Sequence, residues 1–69
     1  MVTIYGKDAC PYTQAALDDH RRRGLEFEYV NVKKSAADLD RMLQASGGQR
    51  KVPVIVGADG RVTIGFGGT

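Results

Sequence analysis

The sequence predicts a small α/β domain built on one four-stranded mixed sheet with helices packed against it. In the first half, β-branched and aromatic runs alternate with helix-like runs, which is typical of a βαβ unit with parallel strands. In the second half, two short apolar runs flank an Asp-Gly turn, which favours an antiparallel hairpin. The predicted order is βαβαββ, and residues 1–69 form a single domain.

The first half supplies the parallel unit. Val2–Tyr5 is a short apolar run before Gly6, which predicts a buried strand. Pro11–Arg23 predicts a helix, because good helix formers lie in its middle and arginines at its negative end. The second strand is predicted over Leu25–Val32, with residues 25, 27 and 29 on one face and 26, 28 and 30 on the other.

The second half begins with another helix and ends in the hairpin. Ser35 is predicted to be the N-cap, with Asp38 in the capping-box position, and Gly47-Gly48 ends the helix. An apolar stripe on this helix predicts core residues; it consists of Leu39, Met42 and Leu43. Val52–Val56 and Val62–Ile64 are the last two strands, joined by a turn at Ala58–Arg61.

Composition excludes several classes of function. A net charge of +2 and few aromatic residues do not indicate a nucleic-acid-binding protein. One cysteine and one histidine, His20, are too few for a zinc site, so we expect no bound metal. We expect His20 to be exposed or half-buried on the first helix, far from the cysteine. The amino terminus enters a strand at once, and no apolar run has membrane-spanning length, so the lone thiol predicts a cytoplasmic protein.

The cysteine itself lies at a position that suits thiol chemistry. Cys10 comes just before the first predicted helix, where unpaired backbone N–H groups and the helix dipole favour a thiolate. Pro11 suits the first helical position, and Lys7 adds a nearby positive charge. The alternative is a buried structural cysteine. The turn-like surroundings of Cys10 favour a reactive thiol over that alternative.

Four features in this order resemble the glutaredoxin family of the thioredoxin-like superfamily. They are Lys7, the Cys-Pro-Tyr-Thr motif at Cys10–Thr13, Val52-Pro53 at the third strand, and Gly67-Gly68 after the fourth. The resemblance covers essentially the whole chain and implies a thioredoxin-like fold. The chain is similar to short bacterial members, some of which carry selenocysteine at the position of Cys10.

The resemblance implies roles for particular residues. Cys10 would be the nucleophile and Pro53 a cis-proline facing it. Glutathione would pair with the Val52 backbone, and its glycine carboxylate would meet Lys7 and either Gln49 or Arg50. The other implied binding residues are Tyr12 as a wall of the groove, and Gly67, Gly68 and Thr69 at the γ-glutamyl end.

The chain also departs from the family pattern in two ways. Thr13 stands where dithiol members have their second cysteine, so no intramolecular disulfide forms in these 69 residues. Its hydroxyl is a candidate donor to the Cys10 thiolate. Family members usually continue past the Gly-Gly pair into a last helix, which we expect to be missing or truncated here.

These observations predict a monothiol glutaredoxin-like thiol–disulfide oxidoreductase with glutathione as co-substrate and no tightly bound cofactor. Its partners would be glutathione and glutathionylated or disulfide-containing client proteins, without nucleic acid or membrane. We expect a monomer that forms a Cys10-linked dimer only on oxidation. The alternatives are a glutathione-supported iron–sulfur cluster carrier, which Pro11 and Tyr12 disfavour, and a redox partner that binds a client thiol without turnover.

Overall fold

Four strands and two helices follow one another in the predicted order βαβαββ in the computed structural model, which describes residues 1–67. The elements are β1 (Val2–Gly6), α1 (Pro11–Arg22), β2 (Phe27–Asn31), α2 (Ala36–Ser46), β3 (Val54–Val56) and β4 (Val62–Ile64). The predicted fold class is therefore confirmed. No helix within the described part of the chain is long and apolar enough to cross a membrane.

The strands form one mixed sheet with the order β2-β1-β3-β4. β1 pairs in parallel with β2, as the βαβ unit requires, and antiparallel with β3. β3 and β4 form the predicted antiparallel hairpin, whose turn is closed by Gly57 N–H donating to the Arg61 carbonyl at 2.8 Å. The strand that leads to the cysteine is therefore central in the sheet and held from both sides.

One face of the sheet packs against α2. The register places Tyr5, Val30 and Val54 side by side on this face, and the Arg41 guanidinium of α2 lies 5.6 Å from the centre of the Tyr5 ring. The core here consists of Tyr5, Val30, Val32, Met42 and Val54. The predicted stripe on α2 is confirmed, since Met42 is 1 % exposed and Leu39 and Leu43 pack against this core.

The opposite face packs against α1. Ile4 of β1 and Ala16 of the helix are fully buried, and Leu17 of the helix is only 2 % exposed. The prediction that His20 is exposed or half-buried is wrong, because its residue is only 6 % exposed. Its Nδ1–H donates to the Ala16 carbonyl at 2.8 Å, and its ring packs edge-on against Phe27 at 5.9 Å. Both the polar and the apolar part of this side chain therefore have partners inside the fold.

Two strands are shorter than the sequence pattern suggests. After α1, Leu25 N–H donates to the His20 carbonyl at 3.0 Å, so Leu25 still caps the helix and β2 begins only at Phe27. Leu25 is 41 % exposed and does not share the predicted strand face. β3 begins at Val54 rather than Val52, because Pro53 has no N–H to donate to a ladder.

The ends of α2 follow the prediction. The Ser35 hydroxyl accepts a hydrogen bond from Asp38 N–H at 3.4 Å, and Gly47 ends the helix in the left-handed conformation with φ 70°. The described chain after β4, residues 65–67, contains no helix. Gly68 and Thr69, to which we assigned part of a binding site, lie outside the described residues.

Candidate active site

Cys10 is the N-cap of α1, at the carboxyl end of the central strand β1. Its backbone is extended, with φ −86° and ψ 117°, and Pro11 opens the helix as predicted. Cys10 N–H donates to the Lys7 carbonyl at 3.2 Å, and the Cys10 carbonyl accepts from Gln14 N–H at 3.1 Å. These bonds fix the sulfur beside the unpaired N–H groups of the first helical turn. The residue is 8 % exposed.

The pKa of the Cys10 thiol is lowered in this position. Burial is the largest single influence and raises the pKa, because it disfavours a charged sulfur. The opposing groups together outweigh it: the backbone and hydroxyl of Thr13, the backbone of Tyr12, and the charge of Lys7. The balance favours a thiolate, which is the nucleophilic form of cysteine.

Thr13 is fully buried, and its hydroxyl oxygen has no hydrogen-bond partner among the described residues. A buried hydroxyl without a partner costs free energy, so an acceptor close to it is favoured. We expect the Cys10 thiolate to be that acceptor, because the Thr13 hydroxyl is among the groups that lower the pKa of the thiol. The role of Thr13 as a donor to the sulfur stays a prediction, and this burial supports it.

A groove of about 260 Å³ begins at the loop that carries Cys10. It is lined by Lys7, Val32, Lys33, Leu39, Met42, Arg50 and Val52. The structure therefore brings Lys7 to the segment of Arg50 and Val52, which joins in one groove three residues that the family resemblance assigns to substrate binding. The Val52–Pro53 peptide bond is cis, as expected, and Pro53 is buried, with its carbonyl accepting from Gly65 N–H at 2.7 Å.

The model for the family named glutaredoxin matches residues 2–62. The chain is a member of the glutaredoxin family. The fold agrees: the chain is 27% identical to the glutaredoxin of Archaeoglobus fulgidus, with a TM-score of 0.82 over 96% of this chain and 75% of that one. No curated protein sequence matches the chain.

A second solved structure extends the comparison. The glutaredoxin-like protein NrdH-redoxin from Escherichia coli is described as having a thioredoxin-like activity profile. This chain is 27% identical to it, with a TM-score of 0.80 over 96% of this chain and 83% of that one. The chain is therefore a glutaredoxin-like redox protein with the thioredoxin fold. Its similarity to selenocysteine-containing members stays a prediction.

Other residues that the sequence assigned to binding lie outside the lining of the groove. The Gln49 carbonyl accepts from the Ser46 hydroxyl at 2.7 Å, and Arg50, not Gln49, lines the groove. Tyr12 is 41 % exposed on the first turn of α1 and is not among the lining residues. Gly67 is exposed, with φ 63°. In this glutaredoxin, residues 1–67 contain no group of three or more histidine, cysteine or carboxylate side chains that could hold a metal ion.

The sequence did not predict how the Cys10 loop is anchored. The Tyr29 hydroxyl of β2 donates to the Asp8 carboxylate at 2.7 Å, and the Gln14 side chain donates to the Asp8 carbonyl at 3.1 Å. Burial and the Asp8 carboxylate raise the pKa of Tyr29, so this hydroxyl stays a donor. The two hydrogen bonds tie the loop to β2 and α1. Tyr29 lies 21 residues from Asp8 in the chain, too far for a local pattern to indicate their contact.

The lowered pKa of Cys10 gives a pH-dependent prediction. Because only the thiolate reacts, the alkylation rate should rise with pH through the pKa of the folded protein. We expect its midpoint below that of an ordinary cysteine, about 8.5. Thr13→Val should move the midpoint upward, since it removes the hydroxyl but keeps the branched shape. Iodoacetamide kinetics measured across pH would check both; a wild-type midpoint at or above the ordinary value would contradict the prediction.

Proposed function

We propose that this chain is a monothiol glutaredoxin that reduces protein–glutathione mixed disulfides through Cys10. The observation that carries the proposal is that Lys7 connects the thiol with the groove. Cys10 has a lowered pKa, and Lys7, which contributes to that shift, also lines the groove with Arg50 and Val52. A thiolate whose neighbouring lysine also lines a small cationic groove suits a thiol partner that carries a carboxylate.

The reaction proceeds in two exchange steps. The Cys10 thiolate attacks the glutathione sulfur of the mixed disulfide, the original S–S bond breaks, and the client leaves as a thiolate that takes a proton from solvent. A second glutathione, as its thiolate, then attacks the sulfur of the bound glutathione. The products are oxidised glutathione and the Cys10 thiolate. One free glutathione is consumed per turnover: the client regains its thiol, and the two glutathione sulfurs leave as oxidised glutathione.

The binding roles follow the placement of the groove. Lys7 and Arg50 attract the glycine carboxylate of glutathione, and the Val52 backbone offers an N–H and a C=O to its cysteine. We assign Tyr12, which is exposed on the first turn of α1, to contact with the bound glutathione. We assign the γ-glutamyl end to Gly67, Gly68 and Thr69. Glutathione is a co-substrate in this scheme, with no tightly bound cofactor, and the protein acts in the cytoplasm as a monomer on client proteins.

A second candidate is the direct reduction of protein disulfides, which the described activity profile of the Escherichia coli relative favours. In that case the groove would hold a client segment, and Cys10 would form a disulfide with the client itself. No second cysteine within these 69 residues resolves that disulfide. Release would then require an external thiol, so the two candidates differ in whether glutathione is obligatory.

The test is turnover of a glutathionylated peptide. We expect catalytic release of the free peptide when glutathione and glutathione reductase are supplied, with Cys10–glutathione as the accumulating intermediate by mass spectrometry. A control reaction replaces the glutathionylated peptide with the same peptide carrying an internal disulfide. Faster reduction of the internal disulfide would favour the second candidate. Absence of any turnover above the uncatalysed exchange would overturn the proposal.

A further inference from the structure

The groove that Lys7 lines carries more positive charge than one carboxylate requires. Lys7, Lys33 and Arg50 all line it, the other four lining side chains are apolar, and no carboxylate is among them. The ion pairs within residues 1–67 use Arg21, Arg23 and Arg41, so none of the three groove cations is neutralised in this way. A ligand that enters this groove meets three unpaired cations.

The backbone that carries Lys33 into the groove lining is held by hydrogen bonds. The Asn31 side chain at the end of β2 accepts a hydrogen bond from Lys33 N–H at 2.9 Å, and Val32 N–H donates to the Gly6 carbonyl at 2.9 Å. Val32 is buried, and Lys34 N–H donates to the Asn31 carbonyl at 3.3 Å, so the backbone on either side of Lys33 is held. The Lys33 side chain therefore extends from a hydrogen-bonded turn, and it lines the groove in the folded protein.

Lys34, the next residue on the same turn, lies near carboxylates. Lys34 lines a different depression, in which Asp8, Glu28 and Asp38 also lie. Its positive charge faces carboxylates that the protein already supplies. Two consecutive lysines thus lie in different electrostatic surroundings. Lys33 lines a groove without carboxylates, whereas Lys34 lines a depression with three carboxylates and one other cation, Arg41.

We propose that Lys33 is a specificity-determining residue, and that with Lys7 and Arg50 it selects disulfides whose groove-bound part carries two or more carboxylates near the sulfur. This inference rests on the proposed function, in which the groove holds the thiol partner. Glutathione presents one carboxylate at its glycine end, which leaves part of the positive charge without a partner. A more acidic thiol in the same place satisfies all three cations.

Three disulfides test the proposal: oxidised glutathione, the disulfide of its analogue with glutamate in place of glycine, and neutral hydroxyethyl disulfide. The rate of Cys10 adduct formation is followed by mass spectrometry at low ionic strength. Because exposed ion pairs contribute modestly, we expect the wild type to prefer the glutamate analogue over oxidised glutathione by about twofold to fivefold. The preference should shrink as salt is added, since salt screens exposed charges.

Lys33→Gln and Lys34→Gln form a matched pair, since each removes one positive charge from the same turn. Lys33→Gln should abolish the preference for the glutamate analogue over oxidised glutathione. Lys34→Gln should retain the preference. Each preference is the ratio of two adduct-formation rates measured on the same variant, so differences in stability or thiol reactivity between variants cancel.

Two outcomes would overturn the proposal in distinguishable ways. If the wild type reacts with the disulfides but shows no preference, or if both variants lose it equally, Lys33 has no specific role and the proposed function stands. If Cys10 forms an adduct with none of the three, including the neutral one, the sulfur is inaccessible. The proposed function then fails, and the inference about Lys33 fails with it.

Discussion

Cys10→Ser is expected to abolish every covalent product of oxidised glutathione and all exchange activity. Wild-type protein should convert to a single glutathione adduct, with a Cys10–Cys10 dimer as the minor product, because no second thiol competes within the chain. A serine hydroxyl at the same N-cap is not ionised near neutral pH and does not attack a disulfide. Intact mass after incubation, measured with and without a reductant, distinguishes adduct, dimer and unmodified chain.

The same experiment has a structural control. Serine is a good N-cap residue, so Cys10→Ser should keep or slightly raise the stability of α1, and loss of activity would not reflect unfolding. Circular dichroism at the temperature of the assay checks this. Thr13→Ala should slow exchange without removing the adduct, because it leaves the sulfur in place. An unmodified wild-type Cys10 at mildly alkaline pH, under conditions in which a model thiol reacts, would contradict the proposed chemistry.

Much of this fold follows from local patterns. The order of elements, the cap of α2 at Ser35 and the core stripe around Met42 depend on residue spacing within one helix or strand, which a sequence displays directly. The position of Cys10 is also local, since Gly6 and Pro11 delimit the loop that carries it. The fold class and the position of Cys10 at the start of α1 were therefore predictable from the sequence alone.

The features that the sequence did not reveal depend on contacts between distant segments. His20 is buried because Phe27 of β2 packs against it, and the Cys10 loop is anchored because Tyr29 donates to Asp8. Lys33 looks like an ordinary loop lysine in the sequence. It gains significance only when α2 and the segment before β3 bring Leu39 and Arg50 to the same groove.

Gly6 links the packing of α1 to the pKa of the Cys10 thiol. A Cβ atom at this position would collide with the Thr13 methyl group and lie 2.6 Å from the Thr13 hydroxyl oxygen. Position 6 therefore requires a residue without a side chain, because the start of α1 packs directly against the end of β1. The residue that it faces is the one whose hydroxyl lowers the pKa of Cys10.

We therefore expect Gly6→Ala to destabilise the protein by about 1–3 kcal/mol, the usual cost of overpacking. It should also raise the pKa of Cys10, because Thr13 must move away from the sulfur to admit the new methyl group. Urea unfolding measures the first effect, and the midpoint of the alkylation rate against pH measures the second. Both effects should appear in the same variant, since one displacement causes them.

The double variant Gly6→Ala/Thr13→Ala separates this collision from a general intolerance of β1 to side chains. Removing the Thr13 methyl and hydroxyl leaves its Cβ as the nearest of these atoms, 3.1 Å from the added carbon. The loss of stability caused by Gly6→Ala should therefore be smaller in the Thr13→Ala background than in the wild type. Strictly additive free energies in this double-mutant cycle would show that the two residues are not coupled, and that Gly6 does not position Thr13.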